Sequence, residues 1–393
     1  MEKRLKILEL VEDWLPIHGG VTNVVYRMSK SLSRYADITV GAVRAQKVDG
    51  KDYVDEKEPF SVIRCKGYYN PITTNRESLL MFDNDFKQKI KEGNFDIIHC
   101  HFPMALFGYA KKIGKKGGIP VVITAHSIFY EDIVKAIKLK NASKLVTRHI
   151  VGRINSADSI WVVTSYAKNY LLNYGLRDDS IVVENAIETP VIQEEINVRE
   201  KYGIAKDDFV LLSVSRLVKM KNIDLIVKAM AKMKGKNIKL VIIGDGMERE
   251  HLHKLAQSTN PDNILFLGAV DENIKNNFYK AADLIIFVSV GDSAGLIQVE
   301  AAYFEKPTLA LADTAISEKM TDNKNGFVIQ NDVDACAEKV LFCYNNRDMV
   351  RAVGVEAKKD LYRTYEDDNI AKAILNQYKQ AIEDFQVKGK SKN

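Results

Sequence analysis

Long apolar runs and paired cysteines are both missing from this sequence of 393 residues. No stretch approaches the roughly 20 apolar residues that cross a bilayer. The opening MEKRLKILELVEDW is interrupted by acidic residues from Glu9 onward, unlike a secretory signal. The four cysteines form no Cys-x-x-Cys pair and have no metal-ligand spacing. We therefore expect a reduced, cytoplasmic protein, with peripheral binding to the inner face of the membrane left open.

Metal and dinucleotide motifs are equally sparse. GDGMER (244–249) has two glycines of the pattern G-x-G-x-x-G but Arg249 in place of the third, which argues against a dinucleotide-dependent oxidoreductase. An Asp-x-Asp triplet at 83–85 lies in a polar stretch, where we expect a surface helix. His99 and His101 are expected to point to opposite faces of a strand and so to make a poor metal pair. We predict no bound metal and no cofactor.

Apolar runs alternate with helical segments along the whole chain. Most runs are continuously apolar, which is typical of parallel strands covered on both faces. The predicted strands are 5–11, 36–43, 95–101, 119–126, 159–165, 180–185, 208–216, 238–245, 263–268, 283–289, 307–312 and 326–330. The βαβα order, which occurs twice, predicts an α/β protein with two Rossmann-like, doubly wound parallel-sheet domains that face a central cleft.

A charged stretch separates the two predicted domains. The segment ETPVIQEEINVREKYGIAKDD (188–208) interrupts the rhythm of apolar runs, so we place the boundary near its start. The predicted domains are 1–190 and 191–370. A C-terminal helix is expected at 371–393, and packing against the first domain is one option for it.

Two loops are expected where open parallel sheets bind ligands, at the carboxyl ends of their strands. PIHGGVTN places Gly19 and Gly20 before a helix, where free amides bind anions, although such a pair is more often a simple turn. SVSRLVKMKN places Arg216 and Lys221 on one loop. A guanidinium and an ammonium together match the charge of a diphosphate. Two ordinary surface cations are the alternative.

A third loop, GDSAGLIQVE, carries two carboxylates, Asp292 and Glu300, around a turn that opens into a helix. Carboxylates accept hydrogen bonds from adjacent hydroxyls, as on a ribose or a hexose. A helix cap or a surface charge is the alternative for each acid. The amides expected at the helix start, where phosphate or hydroxyl oxygens bind, belong to Ala294, Gly295, Leu296 and Ile297.

Positive charge is concentrated between residues 111 and 153, where ten basic residues accompany two acidic ones. The net charge of the whole chain is only +5. In IVKAIKLKNASKLVTRHIVGRI (133–154), cations and apolar residues share one predicted helix. This stretch is either an anion-facing surface, such as one for an anionic membrane or a polyanion, or an ordinary solvated face.

Several motifs occur in an order known from one enzyme family. GGVTNVV, FDIIHCHFP and VVITAHS are followed by SVSRLVKMKNID, LVIIGDGMERE, ILFLGAV and GDSAGLIQVEAAYFEKPTLA. In this order they resemble the retaining GT-B glycosyltransferases of family 4, also called glycosyl transferases group 1, over nearly the full length. The last motif resembles the family's paired carboxylates, usually Glu, seven residues, Glu. Here the first acid is Asp292, one methylene shorter.

The resemblance implies roles for the candidate residues. Glu300 would hold the ribose of a nucleotide, Asp292 would accept from hydroxyls of the donor sugar, and His126 would face the sugar. Arg216 and Lys221 would stabilise the leaving diphosphate. The implied catalytic residues are Arg216, Lys221, His126 and Asp292. The implied donor-binding residues are Gly19, Gly20, Arg216, Lys221, Val270, Asp292, Ala294, Gly295, Leu296, Ile297 and Glu300.

The implied activity is transfer of a hexose or N-acetylhexosamine from a nucleotide-diphosphate sugar, above all a UDP-sugar, to an acceptor hydroxyl. Retention without a metal is implied, in glycan, glycolipid or cell-surface polysaccharide synthesis. The first domain would be the acceptor side and the second would bind the nucleotide sugar. The acceptor would be a saccharide, a lipid-linked saccharide or a protein, and no nucleic acid is expected. A silent GT-B homologue acting as a binding subunit, a sugar-nucleotide epimerase and a sugar phosphorylase remain alternatives.

Overall fold

A computed structural model describes residues 3–12, 14–15, 20–43, 55, 57–70, 75–78, 83–130, 133–134, 138–186, 189–362 and 367–390. The chain divides into two compact units. The first consists of Met1–Glu188 with Asp367–Asn393, and the second of Thr189–Glu366. The first unit therefore contains both ends of the chain.

The first unit is built on a seven-stranded parallel sheet. The strands of the first unit, inside and outside this sheet, are β1 (Lys6–Val11), β2 (Asp37–Val43), β3 (Ser61–Cys65), β4 (Gly67–Asn70), β5 (Asn75–Ser78), β6 (Ile97–Cys100), β7 (Val121–Ala125), β8 (Ser159–Val162) and β9 (Ile181–Val182). The sheet order is β3-β2-β1-β6-β7-β8-β9, while β4 and β5 form an antiparallel hairpin. Its helices are α1 (Gly20–Leu32), α2 (Asn84–Glu92), α3 (Ala105–Gly117), α4 (Lys140–Ile154) and α5 (Ser165–Leu172).

The second unit has a six-stranded parallel sheet. Its strands are β10 (Phe209–Val214), β11 (Ile238–Ile243), β12 (Ile264–Gly268), β13 (Leu284–Phe287), β14 (Thr308–Leu311) and β15 (Phe327–Ile329), in the order β12-β11-β10-β13-β14-β15. Its helices are α6 (Val198–Lys201), α7 (Ile223–Met230), α8 (Arg249–Thr259), α9 (Glu272–Ala281), α10 (Leu296–Tyr303), α11 (Val333–Asn345) and α12 (Arg347–Ala357). Short 3-10 turns lie at Lys219–Lys221, Ala231–Met233, Pro261–Asn263 and Ser317–Lys319, and a π-helical turn at Lys358–Tyr362.

The C-terminal helix α13 (Asp367–Lys390) packs in the first unit. Its residues Ile370, Ile374 and Tyr378 are buried in the same core cluster as Trp14 and Trp161. Burial of such apolar side chains is the main source of stability in a fold of this kind. Helix α13 thus packs into the same core cluster as residues of the strand β1.

The predicted fold class is confirmed, since both units are parallel sheets with flanking helices. Each of the predicted apolar runs contains a strand. The prediction missed β3 and the hairpin of β4 and β5, which are short and interrupted by polar residues. The expectation of a surface helix at 83–85 was wrong for Asp83, which is buried and caps α2 by accepting a hydrogen bond from the Phe86 amide at 3.1 Å.

Candidate functional site

The loop after β10 carries the two cations predicted to face a diphosphate. Arg216 is exposed, while Lys221 ends a short 3-10 turn and its side chain is only 14% exposed. The ammonium of Lys221 donates to Oδ2 of Asp292 at 2.5 Å. It also lies 4.8 Å from the centre of the Phe287 ring, on the neighbouring strand β13. These contacts fix Lys221 at the carboxyl end of the sheet and leave Arg216 facing solvent.

Asp292 organises the loop that leads into α10. Its Oδ1 accepts hydrogen bonds from the amides of Ala294 at 3.2 Å and Gly295 at 3.4 Å. Burial would raise the pKa of Asp292, but Lys221 and the hydrogen bonds hold that pKa below its usual value. The carboxylate therefore occupies an anion site made of one ammonium and two amides. The sequence indicated each of these groups but not that Asp292 would join them.

Gly295 is required at the start of α10. Its φ of 62° lies in the left-handed region, and a Cβ there would come 2.5 Å from Cγ1 of Ile316. The amides of Leu296 and Ile297 follow in the first turn, where helix amides have no acceptor within the helix. Ile297 packs against the core cluster that contains Phe287. Both amides thus lie at the start of α10, directly after the loop that contains Asp292.

Glu300 lies one turn further along α10, with its side chain 13% exposed. Its Oε2 accepts a hydrogen bond from the hydroxyl of Tyr279 at 3.2 Å and lies 3.5 Å from Nζ of Lys275. Both partners belong to α9, four residues apart, and the sequence analysis missed them. Val270, which follows β12, is half-buried against the core cluster that contains Tyr279.

The GDGMER segment packs against the Arg216 loop. A Cβ at Gly244 would lie 1.9 Å from the backbone oxygen of Ser215, and the Leu217 amide donates to the backbone oxygen of Asp245 at 2.9 Å. This close approach gives the first glycine of the segment a packing role. It therefore accounts for Gly244 without a bound dinucleotide.

In the first unit, Gly20 is the first residue of α1 and is exposed, with nothing within 4 Å of a Cβ placed there. Gly19 lies outside the described residues. His126 follows β7, at the carboxyl end of the parallel sheet. Its Nε2 lies 2.9 Å from Nδ1 of His101. The imidazole of His126, which is predicted to face a sugar, is thus hydrogen-bonded to the imidazole of His101.

The expectation that His99 and His101 face opposite ways was wrong, because residues two positions apart on a strand share a face. Their ring centres lie 4.1 Å apart. Both rings contact Glu9, which lies directly opposite His99 in the register of β1 and β6. His101 Nε2 lies 2.7 Å and His99 Nδ1 3.2 Å from Oε2 of Glu9.

The cluster is closed by two hydroxyls. Tyr378 of α13 donates to Oε1 of Glu9 at 2.7 Å and lies 2.6 Å from Nδ1 of His99. Thr124 Oγ1 lies 2.7 Å from Nε2 of His99. Among the described residues, Glu9, His99 and His101 form the group whose potential metal-ligating atoms lie within 4.8 Å of one another. Both carboxylate oxygens of Glu9 and all the ring nitrogens of His99 and His101 already make hydrogen bonds with neighbouring side chains.

The basic stretch does not form one continuous helix. Lys138 has a φ of 59° and Leu139 caps α4, so the predicted helix at 133–154 is interrupted there. Lys135 lies outside the described residues. Leu139 and Leu145 are 65% and 70% exposed beside the exposed cations Lys144 and Arg148. In the part of the chain that the structure describes, no helix is both long and apolar enough to span a bilayer.

Comparison with known proteins covers both units. A family model described as Glycosyltransferase Family 4 matches residues 18–190, and one described as Glycosyl transferases group 1 matches residues 194–360. Alpha-monoglucosyldiacylglycerol synthase from Acholeplasma laidlawii is 27% identical over 349 residues, covering 80% of this chain and 82% of the relative. N-acetyl-alpha-D-glucosaminyl L-malate synthase from Bacillus anthracis is 24% identical over 334 residues, covering 81% and 85%.

Among solved structures, Anabaena Alr3699/HepE in complex with UDP and glucose superimposes with a TM-score of 0.75 at 18% identity, covering 96% of this chain and 100% of that one. That likeness concerns the fold, and the two family models follow one another along nearly the whole chain. The chain belongs to the GT-B glycosyltransferases of family 4, the glycosyl transferases group 1.

Proposed function

We propose that this protein transfers a hexose or N-acetylhexosamine from a nucleoside-diphosphate sugar, preferably a UDP-sugar, to an acceptor hydroxyl. The observation that carries the proposal is the anion site of the second unit. There the ammonium of Lys221 and the amides of Ala294 and Gly295 converge on one carboxylate, that of Asp292. A diphosphate oxygen is an acceptor of the same kind. The UDP bound by the Anabaena structure supports the choice of nucleotide.

In this reaction the bond between the anomeric carbon and the diphosphate oxygen breaks, and a bond from that carbon to the acceptor oxygen forms. Negative charge develops on the leaving diphosphate, where Lys221 and the exposed Arg216 stabilise it. The proton of the acceptor hydroxyl leaves with the nucleoside diphosphate. We propose that the anomeric configuration is retained and that these cations take the place of a metal.

Glu300 is proposed to accept from the ribose hydroxyls of the nucleotide. Tyr279 holds one carboxylate oxygen, Oε2, at 3.2 Å and so orients the group. A carboxylate has acceptor capacity for several donors at once. His126 of the first unit is proposed to accept a hydrogen bond from a hydroxyl of the donor sugar.

A lipid-borne acceptor is our preferred class. The name of the Acholeplasma laidlawii relative describes synthesis of a glucosylated diacylglycerol. The surface of α4 combines exposed Leu139 and Leu145 with exposed Lys144 and Arg148, a pattern that suits an anionic lipid surface.

The activity is tested with the full chain, a panel of nucleotide sugars and vesicles carrying diacylglycerol or its monoglucoside. Release of the nucleoside diphosphate and formation of a glycosylated lipid are measured together, and NMR of the product gives its anomeric configuration. We expect an α-linked product from an α-linked donor, undiminished by EDTA. A β-linked product would contradict retention, and loss of activity in EDTA would contradict metal independence.

The membrane surface is tested by sedimentation with vesicles. Each cation near an anionic surface contributes on the order of 1 kcal/mol. We expect binding to anionic vesicles at low salt, release at high salt, and no binding to neutral vesicles. Replacing Lys140, Lys144 and Arg148 by Gln should abolish binding. Replacing Lys234 and Lys236, exposed cations of the second unit, should not; equal loss in both variants would contradict a specific surface.

A silent binding subunit is the second candidate. It is favoured by the ion pair of Lys221 with Asp292, which neutralises the anion site from within the chain. The two candidates differ in one measurement. A silent homologue binds the nucleotide sugar without releasing nucleoside diphosphate in any combination of donor and acceptor.

A further inference from the structure

Helix α9 binds the segment with which the second unit begins. The unit starts at Thr189, and residues 191–196 form neither a helix nor a strand. The backbone amides and carbonyls of such a segment need hydrogen-bond partners from elsewhere in the fold. Three asparagines of α9, Asn273, Asn276 and Asn277, supply these partners, and we call them the asparagine clamp.

Two members of the clamp bind the segment much as a neighbouring strand would. Oδ1 of Asn273 accepts from the amides of Gln193 at 2.8 Å and Glu194 at 3.1 Å. Oδ1 of Asn277 accepts from the amide of Ile196 at 3.0 Å. The Nδ2 groups of both asparagines donate to the backbone oxygen of Glu194, at 3.0 and 2.9 Å. Both ends of each side-chain amide are therefore used on the same short segment.

The clamp is buried on the side of the helix. Asn276 and Asn277 are 1% and 2% exposed, and Asn276 donates to the backbone oxygen of Val191 at 2.8 Å. Breaking such bonds leaves buried polar groups unsatisfied, so the clamp ties the segment firmly to α9. An ion pair between Lys280 and Glu195 joins the same two elements at the surface. Exposed ion pairs contribute little.

A second face of the same helix contacts Glu300. The hydroxyl of Tyr279 donates to Oε2 of Glu300 at 3.2 Å, and Nζ of Lys275 lies 3.5 Å from that oxygen. Lys275 and Tyr279 are four positions apart and so share one face of α9, adjacent to the face of the clamp. Because one helix carries both sets of contacts, a rotation of α9 about its axis changes both of them.

We propose that Asn273 and Asn277 are positioning residues for Glu300. They set the rotation of α9 by binding residues 191–196, and α9 in turn sets the place of the Glu300 carboxylate through Tyr279. Hydrogen bonds are directional, whereas apolar packing in the core is not, so the clamp fixes this rotation more sharply than the core does. The consequence for ligand binding rests on the proposed function, in which Glu300 accepts from the ribose of the nucleotide.

Coupling of this kind acts in both directions. A nucleotide that holds Glu300 also restrains α9 through Tyr279, and α9 restrains residues 191–196. The amides of this segment should therefore exchange with solvent more slowly when the nucleotide is bound. A clamp that only stabilised the second unit would lower the affinity of every variant alike, whether or not Glu300 is present.

The route through Glu300 is tested by a double-mutant cycle on the full chain, with calorimetric titration of UDP as the measurement. Asn277→Ala should weaken UDP binding about threefold to tenfold when Glu300 is present. In the Glu300→Gln background it should have little further effect, because coupled residues are not additive. Lys280→Gln, which removes only the exposed ion pair with Glu195, is the matched control and should bind UDP like the wild type.

The outcomes separate this inference from the proposed function. Equal losses from Asn277→Ala with and without the Glu300 carboxylate would overturn the positioning role, as would wild-type affinity in Asn277→Ala. If the wild type binds none of UDP, ADP and GDP, the proposed function fails and the positioning role fails with it.

Hydrogen exchange measures the reciprocal effect and needs no variant of a buried residue. In the wild type, saturating UDP should slow the exchange of amides in residues 191–196. In Asn273→Ala, which loses a half-buried side chain, the slowing should be smaller, and in Glu300→Gln saturated with UDP it should be absent. Unchanged exchange in wild type that has bound UDP would overturn the coupling, and slowing of full size in Glu300→Gln would overturn its route.

Discussion

The two units place the charged groups of their candidate sites at different depths. In the first unit, Glu9 is 0% and His101 1% exposed, in the middle of the sheet core. In the second unit, the side chains of Lys221, Asp292 and Glu300 are 14%, 24% and 13% exposed, in loops and at a helix start. Buried polar groups depend on their partners much more than half-buried ones do. Changes in the first unit should therefore affect stability and chemistry together, whereas changes in the second should mainly affect ligand binding.

The largest expected effect tests this difference through Glu9. Glu9→Leu removes the acceptor of two buried donors, on His101 and Tyr378, and the carboxylate that lies 3.2 Å from Nδ1 of His99. An unsatisfied buried donor costs about 1 to 3 kcal/mol, so we expect a loss of about 3 to 5 kcal/mol in the free energy of unfolding of the first unit. Glu9→Gln, which keeps one acceptor oxygen, should lose less.

The chain offers a probe for this measurement. Its two tryptophans, Trp14 and Trp161, are both buried in the first unit, and the ring of Trp161 lies 4.8 Å from that of His99. Tryptophan emission during urea unfolding thus reports the first unit. An unchanged midpoint in Glu9→Leu would contradict a structural role for the cluster.

A second prediction concerns acid. His101 has a pKa of about 4 in the folded protein against an ordinary value of 6.5, so the unfolded chain binds a proton that the folded chain does not. Its contribution to stability is complete above pH 6.5 and is lost as the pH falls toward 4, by about 3 kcal/mol. The lowered pKa of His126 acts in the same direction.

We therefore expect tryptophan emission to report a loss of stability of the first unit between pH 6.5 and 4. Hydrogen exchange of the strands β10 to β14 should change less over this range. His101→Leu removes the titrating ring that Glu9, His99 and His126 surround, so its stability should depend less on pH. Equal acid sensitivity of both units would count against the comparison.

The sequence predicted the fold and the second unit's loops for a common reason. Continuous apolar runs identify buried parallel strands, and Arg216, Lys221, Asp292 and Glu300 each lie within a short motif after such a run. What the motifs could not predict is pairing. Lys221 and Asp292 are 71 residues apart. Tyr279 lies on α9, where the sequence pattern predicts a helix but indicates no functional role for the tyrosine hydroxyl.

The first unit's network was largely beyond reach from sequence. Glu9 lies inside an apolar run and Tyr378 lies 369 residues later, in the last helix. Nothing local connects a carboxylate on the first strand with a hydroxyl on the last helix, because the fold alone brings them together. The shared face of His99 and His101 was predictable from the period of two along a strand, and there our prediction was wrong.

A third prediction concerns turnover in the second unit. Lys221→Ala and Arg216→Ala should each lower kcat at least about tenfold, with the unfolding midpoint little changed, because charge on the leaving diphosphate loses its partner. Lys219→Ala, an exposed cation in the same 3-10 turn, is the matched control and should retain activity. Activity near wild type in both Lys221→Ala and Arg216→Ala would remove their assigned role.

The smallest expected effects distinguish Glu300 from Asp292 by the ligand whose binding each carboxylate affects. Glu300→Gln is expected to weaken binding of the free nucleoside diphosphate a few-fold to about tenfold, since a hydrogen bond to a charged acceptor contributes roughly 1.5 kcal/mol or more. Asp292→Asn keeps an oxygen for the amides of Ala294 and Gly295 but loses the ion pair with Lys221. It should leave the affinity for the free diphosphate similar or slightly higher, because a competing anion is gone, and weaken the sugar-bearing donor. Calorimetric titration of each variant with both ligands separates these outcomes; an equal loss for both ligands in Asp292→Asn would mean that Asp292 only organises the loop.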